Sequence, residues 1–113
     1  MSDLTPILSR LSQQSDIEAL VAMLRSSAQA RVHVAPVLGA ARPALAALLA
    51  SQSTLPLVYV VNTTETALRI REDLCHWLDS ANVLLFPASD ALPYEPMSPG
   101  IDMIAARLTV LRR

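Results

Sequence analysis

Residues 36–43, P-V-L-G-A-A-R-P, are the stretch where phosphate chemistry would be expected. They follow a short β-branched run and precede an Ala/Leu-rich run, which is where a phosphate-binding loop joins a strand to a helix. Such a loop, G-x-x-x-x-G-K-[S/T], needs glycines whose backbone N–H groups surround the phosphates. It also needs a lysine for the outer phosphates and a hydroxyl for magnesium.

This chain departs from that pattern at every functional position. Pro36 replaces the first glycine, Ala41 the second, Arg42 the lysine and Pro43 the hydroxyl residue, and Gly39 is the one glycine that remains. Because proline has neither a hydroxyl nor a backbone N–H, the magnesium ligand and a phosphate-facing donor are both lost. The stretch predicts a tight strand-to-helix turn. Arg42 and the helix N-terminus would keep at most a weak anion contact there.

Other reactive side chains form no recognisable catalytic or metal set. His33 has no second histidine or cysteine at metal-ligand spacing, so a structural histidine is expected. Cys75 and His76 are adjacent, and neighbours on a helix point in different directions. We therefore predict no catalytic residue, no metal ligand and no cofactor-binding residue.

Composition limits the class of protein further. The chain has 113 residues, 52% hydrophobic and 17% charged, with a net charge of −1. The high hydrophobic content favours one folded domain over disorder. The net charge lacks the strong positive excess of a free-standing nucleic-acid binder. A single cysteine, an N-terminus unlike a signal peptide and the lack of a ~20-residue apolar run predict a soluble cytoplasmic protein with no membrane partner.

Hydrophobic spacing predicts alternating helices and strands. The predicted helices span about 5–13, 15–26, 43–51, 65–79 and 98–111, and the predicted strands span 31–35, 57–61 and 83–86. The second strand shows no polar alternation, which is typical of a strand buried on both faces. We therefore expect a small three-layer α/β lobe with a short parallel sheet, like a degenerate P-loop helicase domain.

Two divisions of the chain are expected: an N-terminal helical segment at 1–30 and the α/β lobe at 31–113. Three strands would leave two sheet edges open, which proteins normally cover. We therefore expect this chain to be a fragment of a longer protein. Within the lobe, the proline-rich loop 86–102 is either a structural strap or a docking surface, and the residues favour neither.

The loop carries a resemblance to a known family. The pattern F-P-x-x-x-x-L-P-Y-E-x-x-S-P-x-x-D-x-x-x-x-R-L-x-x-L resembles the N-terminal, excinuclease B-like region of bacterial transcription-repair coupling factors. The likeness extends from about Val32 to the end of the chain, but only the loop motif is specific. The matching residues are Phe86, Pro87, Leu92, Pro93, Tyr94, Glu95, Ser98, Pro99, Asp102, Arg107, Leu108 and Leu111.

The resemblance implies a parent protein that is a large ATP-dependent DNA translocase. It would displace stalled RNA polymerase and recruit nucleotide-excision repair. Its N-terminal module would bind excinuclease A and restrain the motor. ATP and magnesium would belong to the downstream motor, and DNA and RNA polymerase would be contacted by downstream domains. The partner of this chain would then be the rest of its own protein.

Two departures from the family narrow that expectation. The decayed phosphate loop keeps less glycine than is usual in the family. Only the short loop 87–100 stands where excinuclease B inserts a long aromatic hairpin for clamping DNA. Direct lesion recognition by this chain is therefore not expected. The family's contact with excinuclease A lies mainly in the sub-domain that follows this lobe, so no binding residue is assigned to it.

The function predicted from the sequence is a non-catalytic lobe that supports partner binding and autoinhibition. Two alternatives remain open. One is a divergent nucleotide-binding domain using Arg42, which saturable ATP binding would favour. The other is a direct DNA-binding domain, which a steeply salt-dependent affinity would favour. Its basic cluster would comprise Arg69, Arg71, Arg107, Arg112 and Arg113.

Overall fold

Helices make up the regular structure of the chain. The computed structural model describes residues 4–89, 94 and 100–113, and within them it contains five α-helices and one short 3-10 turn. All five predicted helices are present at nearly the predicted positions. They are α1 (Thr5–Ser12), α2 (Ser15–Ser26), α3 (Ala41–Ser51), α4 (Thr64–Cys75) and α5 (Ile101–Leu111), with the 3-10 turn at Ser80–Asn82.

The predicted α/β fold is wrong, because the described residues form no strand and no sheet. The runs 31–35, 57–61 and 83–86 exchange no backbone hydrogen bond with one another. Val58 and Val60 are 82% and 84% exposed, so the run 57–61 is not covered on both faces. β-branched residues favour an extended backbone, but a strand exists only through pairing with a neighbour. That pairing is not formed, and the likeness to a helicase domain is lost with it.

Helix ends differ from the prediction in detail. Leu4 is the N-cap of α1 and Gln14 is the N-cap of α2, and neither side chain makes a capping hydrogen bond. α4 ends four residues before the predicted Asp79. These shifts are small, and they do not change which side of each helix is apolar.

The core lies around α3. Ala47 is fully buried and Leu48 is 1% exposed, and α3 packs against both α1 and α4. Alanine lets neighbouring helices approach closely, while leucine fills the space between them. The described part of the N-terminal segment, residues 4–30, packs onto the rest of the chain through α1. The core cluster consists of Leu8, Ala46, Ala47, Leu48, Leu74 and Val83.

The core contains few of the chain's apolar residues, and much of the chain remains exposed. The accessible surface is 9238 Å², against about 6,000 Å² for a folded monomer of this mass. α5 contains no buried residue, and Ile101 and Leu111 on it are 84% and 71% exposed. No helix in the described ranges is both long and apolar enough to cross a membrane. The structure thus leaves a large apolar surface open, much of it on α5.

Truncating Leu48 tests the central position of α3. We expect Leu48→Ala to lower the free energy of unfolding by roughly 2–5 kcal/mol, because it removes buried contacts and leaves a cavity. Leu48→Met should cost less than about 1.5 kcal/mol because it nearly conserves volume. Leu55→Ala is the control, since Leu55 is 74% exposed and should change stability by no more than about 0.5 kcal/mol. Urea unfolding followed by circular dichroism measures all three, and equal losses at 48 and 55 would contradict this core.

Candidate functional site

A cleft of about 570 Å³ opens between the N-terminus of α3, the segment 59–62 and one face of α4. Its walls carry charged and polar side chains from all three segments. Arg42 comes from the first turn of α3, and Asn62 comes from the segment 59–62. The α4 wall contributes Thr66, Arg69 and Asp73. Of these residues, the sequence singled out Arg42 as a weak anion contact and Arg69 as a member of a possible DNA-binding cluster.

The α4 wall follows from helical spacing. Thr66, Arg69, Ile70 and Asp73 line the cleft, and their spacing of i, i+3, i+4 and i+7 places them on one helical face. Thr63 fixes where that helix begins: its Oγ1 accepts the Thr66 N–H at 3.1 Å and donates to the Thr66 hydroxyl at 2.8 Å. The cap satisfies a free helical N–H and orients the first residue of the wall.

The wall beside α3 is a turn that is closed by its own backbone hydrogen bonds. The backbone N–H of Ala41 bonds to the Leu38 carbonyl at 3.0 Å, and that of Arg42 bonds to the Gly39 carbonyl at 3.3 Å. The Arg42 side chain also donates from Nε to the Val37 carbonyl at 3.4 Å. That bond is long for N–H···O, so it restrains the guanidinium only weakly and leaves its terminal N–H groups available.

The structure separates the residues that the sequence analysis compared with a phosphate-binding loop. Pro36, Gly39, Ala41 and Arg42 are exposed, and of these Gly39 and Arg42 line the cleft. Pro43 is almost completely buried. The position that a phosphate-binding loop reserves for the magnesium ligand therefore faces the core. A hydroxyl at this position would be buried, away from any ligand in the cleft.

A smaller hollow of about 270 Å³ adjoins the cleft along α4 and shares Ala40 and Asp73 with it. Its other lining residues are His76 and Trp77. The His76 ring donates from Nδ1 to the Glu72 carbonyl at 2.8 Å, which closes the last turn of α4. Across the described part of the chain, no group of three or more His, Cys, Asp or Glu residues could hold a metal ion.

Two contacts in the described residues join the segments on either side of the proline-rich loop. The Arg107 guanidinium lies 4.6 Å from the centre of the Phe86 ring. Near the end of α5, Arg113 donates from Nη1 to the Ala81 carbonyl at 3.0 Å. These contacts join α5 to the segment that follows α4, so the residues before and after the loop lie together.

Other motif residues are exposed or fall outside the description. Pro87 is half-buried and Tyr94 is 94% exposed. Asp102 lies in the first turn of α5, where a carboxylate favourably opposes the helix dipole. The predicted motif residues that lie outside the described ones are Leu92, Pro93, Glu95, Ser98 and Pro99.

Most of this cleft was missed from the sequence. Arg69 was assigned only to a hypothetical DNA-binding cluster, and Asn62, Thr66 and Asp73 were assigned no role. The signal was nevertheless present, because the spacing of 66, 69, 70 and 73 marks one face of a capped helix. What the sequence did not show was that this face meets the turn before α3.

Comparison of the chain with protein families, curated proteins and solved structures finds no match. The function of the chain therefore has to follow from its own residues and from the geometry that joins them.

The contact between Phe86 and Arg107 can be measured by a double-mutant cycle. We expect a coupling free energy of about 0.5–1 kcal/mol between Phe86→Leu and Arg107→Ala, the range for a cation over an exposed aromatic face. The control pairs Phe86→Leu with Arg71→Ala, since Arg71 is an exposed residue of α4. Equal coupling in the two cycles would show that the arginine does not contact the ring.

The replaced phosphate loop predicts no magnesium-dependent ATP hydrolysis. Arg42 stands in place of the lysine, and Pro43 is buried in place of the magnesium-binding hydroxyl. Purified protein incubated with ATP should release phosphate at the buffer rate, with and without magnesium, in a phosphate-release assay. Hydrolysis that requires magnesium and disappears in Arg42→Ala would contradict this prediction.

Proposed function

We propose that this chain is a non-catalytic lobe from the N-terminal region of a bacterial transcription-repair coupling factor. In that role it acts in the cytoplasm as a scaffold within a DNA translocase that displaces stalled RNA polymerase. It supports the neighbouring partner-binding region, which recruits excinuclease A, and it helps to restrain the motor.

The observation that carries the proposal is the contact between Phe86 and Arg107. Phe86 begins the motif that resembles the family, and Arg107 lies 21 positions later in the same motif, yet the two side chains are in contact. A pattern whose distant members are in contact is best explained as one structural unit. The support comes from the motif, since the helical fold observed is not the α/β fold that the resemblance implies.

Two further features support a scaffold over an enzyme. The phosphate loop has lost its lysine and hydroxyl, and the buried Pro43 has become a packing residue. The apolar face of α5 is exposed, including Ile104 and Leu108 at 43% and 54%. Large exposed apolar patches mark surfaces where proteins meet one another. A lobe that packs within a larger protein would present such a face.

The alternative of direct DNA binding gains no support from the arginine positions. Arg107 lies over Phe86 and Arg113 bonds to the Ala81 carbonyl, so two members of the predicted basic cluster make contacts within the chain. The alternative of a nucleotide domain using Arg42 has the cleft in its favour, but the magnesium ligand is missing. We therefore favour the scaffold.

Strand-specific repair in the host cell tests the proposal. After ultraviolet irradiation, lesions in the transcribed strand of an active gene should lose their faster removal when the segment encoding residues 1–113 is deleted in frame. Removal from the other strand should continue at its normal rate. A point variant, Arg107→Ala, should reduce the transcribed-strand advantage because it releases the motif contact, whereas Arg107→Lys should retain part of it because a cation remains.

Arg71→Ala is the matched control, because it removes one exposed arginine outside the motif and should leave repair unchanged. Immunoblotting establishes that each protein is present in equal amount. An unchanged transcribed-strand advantage in the deletion strain would contradict the proposal, as would an equal slowing of both strands.

A further inference from the structure

The cleft beside α3 contains hydrogen-bond donors that the chain itself does not use. The terminal N–H groups of Arg42 have no acceptor among the described residues. The Arg69 guanidinium likewise forms neither a hydrogen bond nor an ion pair with any described residue. Both cations of the cleft are arginines, and the chain contains no lysine. A guanidinium presents several donors in a fixed plane, which suits the oxygens of a phosphate better than a point charge does.

Neutral donors face the same space. The Thr66 hydroxyl accepts a hydrogen bond from Thr63, so its own proton remains available. The Asn62 amide and the backbone N–H of Ala40 also lack acceptors within the described part of the chain. These groups come from separate segments that border one cleft. A tetrahedral oxyanion accepts hydrogen bonds from several directions, whereas the two oxygens of a carboxylate lie in one plane.

One group opposes anion binding. Asp73 also lines the cleft, and a carboxylate near a bound anion repels it. The charged side chains of the cleft are thus two arginines and one aspartate, so positive charge is in excess. The arrangement favours weak binding of a small anion over tight binding of a highly charged one.

We propose that Arg42 and Arg69 form a binding site for a phosphate group, and that this site works without magnesium. The ligand is inorganic phosphate or the phosphoryl group of a small metabolite, which share the chemistry recognised here. Asn62 and Thr66 contribute neutral hydrogen bonds, and Asp73 limits the affinity. The inference is independent of the function proposed above, because it depends on the walls of the cleft and not on the family motif.

Titration with inorganic phosphate at constant ionic strength, followed by amide chemical shifts, tests the site. The Ala40, Asn62 and Thr66 amides should move together along one saturable curve. Arg42→Ala and Arg69→Ala should each weaken binding by about tenfold or more, the effect of losing a charge-assisted hydrogen bond. Asp73→Asn should strengthen binding, because it removes the opposing charge while keeping nearly the same shape.

Arg71→Ala is the control, since it removes the same charge from the same helix but outside the cleft. Its phosphate affinity should equal that of the unmodified chain, and circular dichroism should show that every variant remains folded. Acetate should compete poorly. Failure of the shifts to saturate would overturn the site, as would equal weakening by Arg71→Ala and Arg69→Ala, or no gain in Asp73→Asn.

A second titration separates a phosphate site from a nucleotide domain. We expect ATP and inorganic phosphate to compete for the same amides, and magnesium to leave ATP affinity unchanged. ATP binding that requires magnesium, or that persists in the absence of any phosphate binding, would overturn the inference. Neither result depends on strand-specific repair, so the two proposals can fail separately.

Discussion

The packing around α3 is the constraint on which the rest of the structure depends. Ala47 and Leu48 lie at the centre of the core, and the buried Pro43 begins the same face one turn earlier. α1 and α4 both pack against this helix. The placement of α3 therefore sets the position of the turn before it and of the α4 face opposite it. That turn and that face are two walls of the cleft. A change in α3 packing would alter both the core and the site.

The same constraint determines what residue 43 can do at the start of α3. In a phosphate loop the residue after the lysine must present a hydroxyl to magnesium. Here that position faces the core, where an apolar ring without a backbone N–H packs well and leaves no unsatisfied donor. Arg42, one position earlier, stays on the exposed side. Neighbouring residues on a helix point in different directions. Pro43 therefore packs in the core, while Arg42 remains exposed beside the cleft.

The open surface of α5 contrasts with the closed core. The Arg107 guanidinium of α5 lies over the Phe86 ring, and Arg113, just after the helix, bonds to the Ala81 carbonyl. Such contacts orient a helix but bury little apolar area, and burial is the larger source of stability. The exposed row at Ile101, Ile104, Leu108 and Leu111 is therefore the part of the molecule with most to gain from a protein neighbour.

Local chemistry along the chain was enough to predict the five helices. Apolar spacing and proline's missing N–H act within a few residues, and so does the Thr63 cap of α4. The strands predicted at 31–35, 57–61 and 83–86 were wrong, because strand formation depends on distant partners and these runs do not pair. The placement of Arg42 and Arg69 in one cleft was likewise set by tertiary packing. It follows from how α3 packs on α4, which no spacing within either helix encodes.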